Sequence, residues 1–494
     1  MKLQDLSGAS SDPHPGASEN MDPPLGVILF NHETKEWFAF RGPDQFQLPG
    51  RGALSGLPKG RWLVNLDYQK TRMLDQGMDI ALVHDGYLRT SISDIEYAMG
   101  VSGRPLDKRA LVTWSLVDRV LRLMGDAFMV AHKGPGKKGR NDVLRALNKG
   151  GSLATCISWA NMAGMRDSRN DELIILEQFR HLWHPAIFIR GRKAEETPGM
   201  RMFSLSFPRL SYAQMLTSEP VPKRSRWQIA TREADQGMDA FFKEVLDSKR
   251  PAIFRADYRA RPGMETEFSQ AAVNPLRIGG ESYKSDTFRS RFLLEDIASL
   301  DRFYEFALEG AYVGEGFIPS SIGKLIDGLL ETAGGAGAAH ASFSAAIAAD
   351  NILASAYRKN KDAPEGYGES VWIAARDRAA MFPLIEEIYG LGATMVSATL
   401  GRVKILCPDD PEILEMVLSC AWEMGVTVVP EDVPALIADG VEIPSDPSRW
   451  GGKSVDYPLS SIVHKGARKA LWALDGVQDL PPEERAKKFR IMMR

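Results

Sequence analysis

The stretch SVWIAARDRAAMFPLIEEIYGLGATMVSATLGRVKILCPDDPEILEMVLSCAWEMGVTVV, residues 370–429, carries the clearest fold signal in the chain. Apolar runs alternate in it with two segments of helical length, and Leu400-Gly401 separates the strand-like runs ATMVSAT and RVKILC. With SVWIAA as the first strand and VTVV as the last, this order predicts a ferredoxin-like βαββαβ unit over residues 371–430. Its third strand, GRVKILC, holds no aromatic residue, so contact with a protein partner or self-association fits the unit better than base stacking.

The N-terminal part of the chain predicts strands. The run LGVILFNHETKEWFAF, residues 25–40, is two apolar segments joined by a polar turn, which is typical of a hairpin. A second hairpin is expected around Asp85-Gly86, so the module as a whole should be small and antiparallel. Residues 105–125 then place apolar side chains at steps of three and four, which predicts an amphipathic helix.

The fold class that follows is an α+β multidomain protein, with a β-rich N-terminal module, a mixed α/β middle and the ferredoxin-like βαββαβ unit near the C-terminus. The predicted segments are a disordered leader (1–24), the β-rich module (25–91), a mixed α/β basic middle (92–330), an Ala/Gly-rich helix and linker (331–370), the ferredoxin-like unit (371–430) and a helical tail (431–494).

Composition bounds the class of protein. The chain has 494 residues, of which 44% are hydrophobic and 25% charged, as in folded globular proteins. Its 3 cysteines are too few and too scattered for a disulfide framework. The N-terminal residues lack the apolar core of a signal peptide, and the sequence has no long apolar run, so we expect a cytoplasmic protein without membrane insertion.

The charge of the chain is unevenly distributed. The formal net charge is -3, yet residues 101–230 carry 22 Lys and Arg against 11 Asp and Glu, and acidic residues predominate in both flanking parts. Such asymmetry is typical of a protein that meets an anionic partner through its basic part. The opposite interpretation, in which acidic parts of the fold neutralise the basic part, remains open at this point.

One basic segment, KGPGKKGR at residues 133–140, contains a G-x-G-x-x-G pattern. An apolar run, AFMVAH, precedes it and a helix-like run follows, as in a dinucleotide-binding turn. No acidic residue follows at the spacing of a ribose ligand, and no phosphate-loop pattern occurs, so contact with phosphate groups of any kind is the broader hypothesis. The candidate contacts are Lys133, Gly134, Gly136, Lys137, Lys138, Gly139 and Arg140.

Two further segments, IRGRK and VPKRSRW, add cations to the middle of the chain. Cations can hold a phosphate backbone while a neighbouring aromatic ring stacks on a base. The candidate phosphate contacts here are Arg190, Arg192, Lys193, Lys223, Arg224 and Arg226, with Trp227 as the candidate stacking residue.

These observations favour a non-enzymatic binding or assembly protein whose basic middle contacts nucleic acid or another polyanion. The expected partners are DNA or RNA, and no cofactor, metal site or catalytic residue is predicted. Two alternatives remain open: an enzyme that binds a nucleotide or phosphate-bearing substrate at the loop 134–139, and a structural, self-associating component without a small ligand.

Overall fold

The computed structural model describes residues 25–42, 44–48, 51–74, 80–85, 88–132, 187–188, 197–223, 227–260, 288–300, 304–333, 339–356 and 367–444. Within these residues the chain is a mixed α and β protein with four sheets and 11 α-helices. The α+β class is therefore confirmed. No helix in the described ranges combines the length and the apolar character that are needed to cross a bilayer.

The N-terminal sheet has the strand order β3-β2-β1-β4-β5. The predicted hairpin at residues 25–40 is present as the antiparallel pair of β1 and β2. The other expectation, an all-antiparallel module, is wrong, because β4 lies parallel to β1 and β5 parallel to β4. The strands are β1 (Gly26–Phe30), β2 (Trp37–Arg41), β3 (Asp44–Leu48), β4 (Arg61–Val64) and β5 (Ala81–Val83).

The second hairpin, predicted around Asp85-Gly86, does not form. Residues 88–91 contain no strand, because Ser91 caps a helix instead: its hydroxyl accepts the amide of Asp94, and the Asp94 carboxylate accepts the amide of Ser91. The Asp85 carboxylate also accepts the amide of Ile92, at 2.8 Å. The local capping interactions therefore outweigh the β-propensity of this run.

The N-terminal helices are α1 (Tyr68–Leu74), α2 (Ile92–Ala98) and α3 (Leu106–His132). The amphipathic helix predicted at residues 105–125 is confirmed as α3, which buries Ala110, Val117 and Met124. The run AFMVAH is the last part of this helix and not a strand. The loop 134–139 is therefore not preceded by the strand that a dinucleotide-binding turn requires.

The C-terminal sheet has the order β16-β7-β15-β14-β6, and every pair in it is antiparallel. The predicted strand pair around Leu400-Gly401 is confirmed as β14 and β15. The elements are β6 (Ile187–Phe188), β7 (Met200–Ser206), β14 (Thr394–Thr399), β15 (Arg402–Pro408), α10 (Pro411–Glu423), β16 (Thr427–Val428) and α11 (Val433–Ala438).

The first strand of the predicted βαββαβ unit is wrong. SVWIAA lies inside one long helix, α9 (Tyr367–Gly390), and β7, from far earlier in the chain, occupies the place beside β15. Residues 371–379 are all buried, so this part of the helix is enclosed on every side and has no solvent-exposed face. A short, continuous apolar run of this kind does not distinguish a buried strand from a buried helix.

The middle of the chain forms another antiparallel sheet, in the order β11-β10-β12-β9, and a two-stranded ribbon of β8 and β13. The elements are α4 (Arg209–Ser218), β8 (Val221–Pro222), β9 (Gln228–Thr231), α5 (Met238–Asp247), β10 (Ala252–Ala260), β11 (Phe288–Phe292), α6 (Leu294–Leu300), β12 (Tyr304–Val313), β13 (Phe317–Ile318), α7 (Ser321–Ala333) and α8 (Ala339–Ala356).

The Ala-rich helix α8 packs against four other helices, α3, α4, α7 and α9. Residues 343–354 are buried without exception, because alanine side chains let the neighbouring helices approach on all sides. Three of these buried residues are polar: Ser344 and the adjacent pair Asp350 and Asn351. Since a buried carboxylate needs charged or hydrogen-bonding partners, they point to a site.

Candidate functional site

Three arginines surround the carboxylate of Asp350. Its Oδ2 lies 3.4 Å from Nε of Arg89, 3.8 Å from Nη1 of Arg209 and 3.9 Å from Nη2 of Arg402. These four residues are named the arginine cluster below. The separations exceed the 2.7–2.9 Å of a formed charge-assisted hydrogen bond. One carboxylate oxygen is thus shared loosely among three guanidinium groups.

Arg89 is held in place by its two neighbours in the chain. The Asn351 amide donates to the Leu88 carbonyl at 2.6 Å, and the Arg209 guanidinium donates to the Thr90 hydroxyl. Between these two contacts Arg89 adopts a φ of 57°, in the left-handed region. For a residue other than glycine this costs about 1–2 kcal/mol. Such strain persists where surrounding contacts enforce it, and it is often found at functional sites.

Arg402 follows the tight turn between β14 and β15. Leu400 and Gly401 have φ values of 51° and 69°, as the two central residues of a type I′ hairpin turn do. The Asp377 carboxylate fixes this turn, because it accepts the amides of Leu400 at 2.7 Å and Gly401 at 2.9 Å. It also accepts the Tyr212 hydroxyl at 2.5 Å. The position of Arg402 is therefore set by a buried hydrogen-bond network.

Arg209 is the deepest member of the cluster, with a side chain that is 3% exposed. It is the first residue of α4, and the N-terminus of this helix has no side-chain cap. The positive end of the helix dipole therefore lies at the cluster. Burial lowers the pKa of Arg209, and the carboxylates of Asp350 and Asp94 counteract that shift. An arginine titrates so far above neutral pH that it stays charged.

A group of carboxyls adjoins the cluster on the side of Asp94. Burial raises the pKa of Asp94 despite the nearby Arg209 guanidinium. Burial also raises the pKa of Asp432, whose carboxylate accepts the Ser204 amide at 2.7 Å. Partial desolvation and the neighbouring carboxylates raise the pKa of Glu431 as well. In this setting Asp94 is a weak counter-charge for the arginines.

The cluster offers buried donors to a ligand. Nε of Arg89 and both Nε and Nη2 of Arg402 are buried and make no hydrogen bond among the described residues. Two of these groups, Nε of Arg89 and Nη2 of Arg402, face Asp350 only at the ion-pair distances given above. A buried donor without an acceptor costs about 1–3 kcal/mol. An anion with several oxygens would satisfy these donors and complete the charge balance. The fork geometry of arginine suits carboxylate and phosphate groups in particular.

Other buried arginines differ from the cluster, because their donors are used within the fold. Arg376 donates to the carbonyls of Leu216, Glu219 and Pro220, at the C-terminal end of α4. Arg378 donates from Nε and Nη2 to one carboxylate oxygen of Asp296, at 2.9 and 2.7 Å. These contacts join elements of the fold, so neither side chain is a candidate for ligand binding.

Most of the site residues predicted from the sequence lie outside the described ranges. This holds for Lys133, Gly134, Gly136, Lys137, Lys138, Gly139, Arg140, Arg190, Arg192, Lys193, Arg224 and Arg226. Lys223 is exposed, and its Nζ lies 3.6 Å from a carboxylate oxygen of Glu315. Trp227 is half-buried, with its ring centroid 6.4 Å from that of Trp372. The assignment of these residues to phosphate binding or stacking stays a prediction.

The arginine cluster itself was not predicted. Arg209 belongs to the basic middle, whereas Arg89 and Arg402 come from the flanks, where acidic residues predominate. The available signal was Asp350-Asn351 inside an Ala-rich helix, since a charged residue in such a helix needs a buried partner. No group of three or more metal-ligating side chains is present among the described residues.

No protein-family model matches the chain, and no curated protein matches it in sequence. Among solved structures, the chain is similar to phi29 DNA polymerase complexed with primer-template DNA and incoming nucleotide substrates. The identity is 7%, the TM-score 0.41, and the match covers 78% of this chain and 80% of that one. For the complex of the same polymerase with primer-template DNA alone, the values are 6%, 0.40, 77% and 80%. At TM-scores this low, the likeness supports no conclusion about function.

Proposed function

We propose that this protein binds nucleic acid through its phosphate groups and acts as a binding or assembly protein without a catalytic step of its own. The arginine cluster carries the proposal. It brings three cations to one carboxylate and retains buried N–H donors for an anionic ligand. Phosphate contacts supply most of the sequence-independent affinity of a protein for nucleic acid.

The energetics of buried charge support this function. Holding several arginines together opposes folding, because like charges repel and lose hydration. The cluster keeps them together with the loosely placed carboxylate of Asp350, the nearby carboxyl of Asp94 and a strained backbone at Arg89. Packing alone would be served as well by apolar side chains, whereas phosphate recognition requires the guanidinium groups.

The predicted basic residues extend this proposal beyond the cluster. Lys223 and the cations of segments 133–140 and 189–193 are further candidate phosphate contacts, with Trp227 as a candidate for stacking. A strand longer than a few nucleotides would need such additional contacts along its backbone. Contact with a protein partner, or self-association, through residues 371–430 remains a separate prediction that the binding proposal does not need.

The test is fluorescence anisotropy with labelled single-stranded DNA, duplex DNA and single-stranded RNA, at about 50 mM and about 200 mM salt. We expect affinity to fall steeply with salt, and the Arg402→Gln variant to bind more weakly with a salt slope reduced by about one. Arg122→Gln is the matched control, because Arg122 is exposed on α3 and pairs with Asp118. Absence of binding at low salt, or equal binding by wild type and R402Q, would show that the proposal is wrong.

A further inference from the structure

The members of the arginine cluster differ in exposure. The side chains of Asp350 and Arg209 are each 3% exposed, whereas those of Arg402 and Arg89 are 26% and 32% exposed. A ligand would therefore meet Arg89 and Arg402 first and approach Arg209 last. This gradient of burial suits a group at the end of a molecule better than a chain that passes along a surface.

The charge of the arginine cluster requires an anion. Three guanidinium groups lie near two carboxylates, those of Asp350 and Asp94. The guanidinium groups therefore outnumber these carboxylates by one. A phosphodiester carries one negative charge and a phosphomonoester about 1.5 to 2 at neutral pH, so either group would supply negative charge.

The number of acceptors favours the monoester. A phosphomonoester has three terminal oxygens, and a diester has only two that are not bridging. Three buried N–H groups of Arg89 and Arg402 make no hydrogen bond among the described residues, although Nε of Arg89 and Nη2 of Arg402 face Asp350 at 3.4 and 3.9 Å. A terminal phosphate beside Asp350 offers one oxygen to each of the three groups, and charge-assisted hydrogen bonds are among the strongest in proteins.

We infer that the arginine cluster binds a phosphomonoester dianion, and that its source is the terminal phosphate of a nucleic-acid strand. This inference rests on the proposed function and deepens it, because the protein would recognise strand ends and not only the backbone. The strained conformation of Arg89 is consistent with a preorganised site, because it holds this partly exposed arginine in place before the ligand arrives.

The experiment compares labelled single-stranded oligonucleotides of one sequence that end in a 5′-phosphate, a 3′-phosphate or hydroxyl groups only. We expect one phosphorylated end to bind about tenfold more tightly than the hydroxyl-ended strand, as for one charged hydrogen-bonded contact. The preference should disappear in Arg89→Gln and Arg402→Gln and persist in Arg122→Gln, and inorganic phosphate should compete with the phosphorylated strand.

The outcomes separate the two proposals. Equal binding of all three strands, with normal salt dependence, would overturn the inference and leave the proposed function intact. Stabilisation of wild type but not R402Q by inorganic phosphate, without any effect of strand phosphorylation, would overturn it as well, since the site would then serve free phosphate. Absence of binding to every strand would overturn both. Circular dichroism of each variant identifies loss of fold.

Discussion

Replacement of Asp377 by alanine tests the network that positions the arginine cluster. The carboxylate accepts three buried donors: the amides of Leu400 and Gly401 and the hydroxyl of Tyr212. Each buried donor that loses its acceptor costs about 1–3 kcal/mol, so D377A should lower the free energy of unfolding by at least about 3 kcal/mol. With an unfolding entropy of about 2.1 cal/mol/K per residue, a chain of 494 residues loses about 1 °C per kcal/mol, so the melting temperature should fall by at least about 3 °C.

The assay is differential scanning calorimetry of wild type, D377A and Asp377→Asn. The asparagine variant should lie between the other two, because its single amide oxygen replaces only one of the two carboxylate oxygens that accept these bonds. Asp118→Ala is the control, since it removes an exposed ion pair with Arg122 that contributes at most about 1 kcal/mol. The reasoning fails if D377A melts within about 1 °C of wild type.

Three further predictions concern the same region. Gly401→Ala should lower the free energy of unfolding, measured by urea titration, by about 2–4 kcal/mol, because a Cβ there would lie 2.6 Å from the Tyr212 ring. The control is Gly42→Ala, at a similar positive φ with open space around it, which should lower the free energy of unfolding by only about 1 kcal/mol. Burial raises the pKa of Asp432, so its ionised form opposes folding. Asp432→Asn should therefore be more stable than wild type at neutral pH, and the difference in melting temperature should vanish as the pH falls to the pKa range of an ordinary carboxyl. A difference that grows on acidification would contradict the raised pKa. Asn351→Ala should weaken competition by inorganic phosphate in the anisotropy assay, because it removes the hydrogen bond to the Leu88 carbonyl beside Arg89, although Asn351 itself does not contact the ligand. Unchanged competition would show that other contacts hold the backbone at Arg89.

Local sequence signals correctly predicted the elements that have one buried and one more exposed face. The amphipathic helix α3 and the hairpin of β14 and β15 follow from periodicity and from Leu400-Gly401, because each element has a buried and a more exposed face. The antiparallel arrangement of the C-terminal sheet could also be predicted from the sequence. Its strand order could not, because β7 lies far from β15 in the sequence and pairs with it only through tertiary structure.

The prediction of a strand in the first part of α9 was wrong because this segment is buried on every side. The segment SVWIAA lacks a polar face because residues 371–379 are all buried, and Arg376, Asp377 and Arg378 form part of that interior. Three consecutive charged residues normally indicate an exposed position. Here each is paired with a partner from another element, and those partners cannot be identified from α9 alone.

The candidate site was missed for a related reason. Summing charge over blocks of sequence located the basic middle, but only Arg209 of the cluster lies within it. Arg89 and Arg402 come from parts of the chain with an acidic balance, and the fold brings them to Asp350. A surplus of charge in one segment therefore says less about a site than the convergence of single cations from several segments.

The triplet Arg376-Asp377-Arg378 also constrains how the chain can be divided. Its partners lie at residues 216–220, 295–296 and 400–401, on both sides of α9 in the sequence. A fragment that ends before α9 would lack the donors that cap α4, and one that begins at α9 would carry two guanidinium groups without acceptors. Domain dissection at 357–366 should thus yield insoluble halves, and co-expression of both halves should restore a soluble complex.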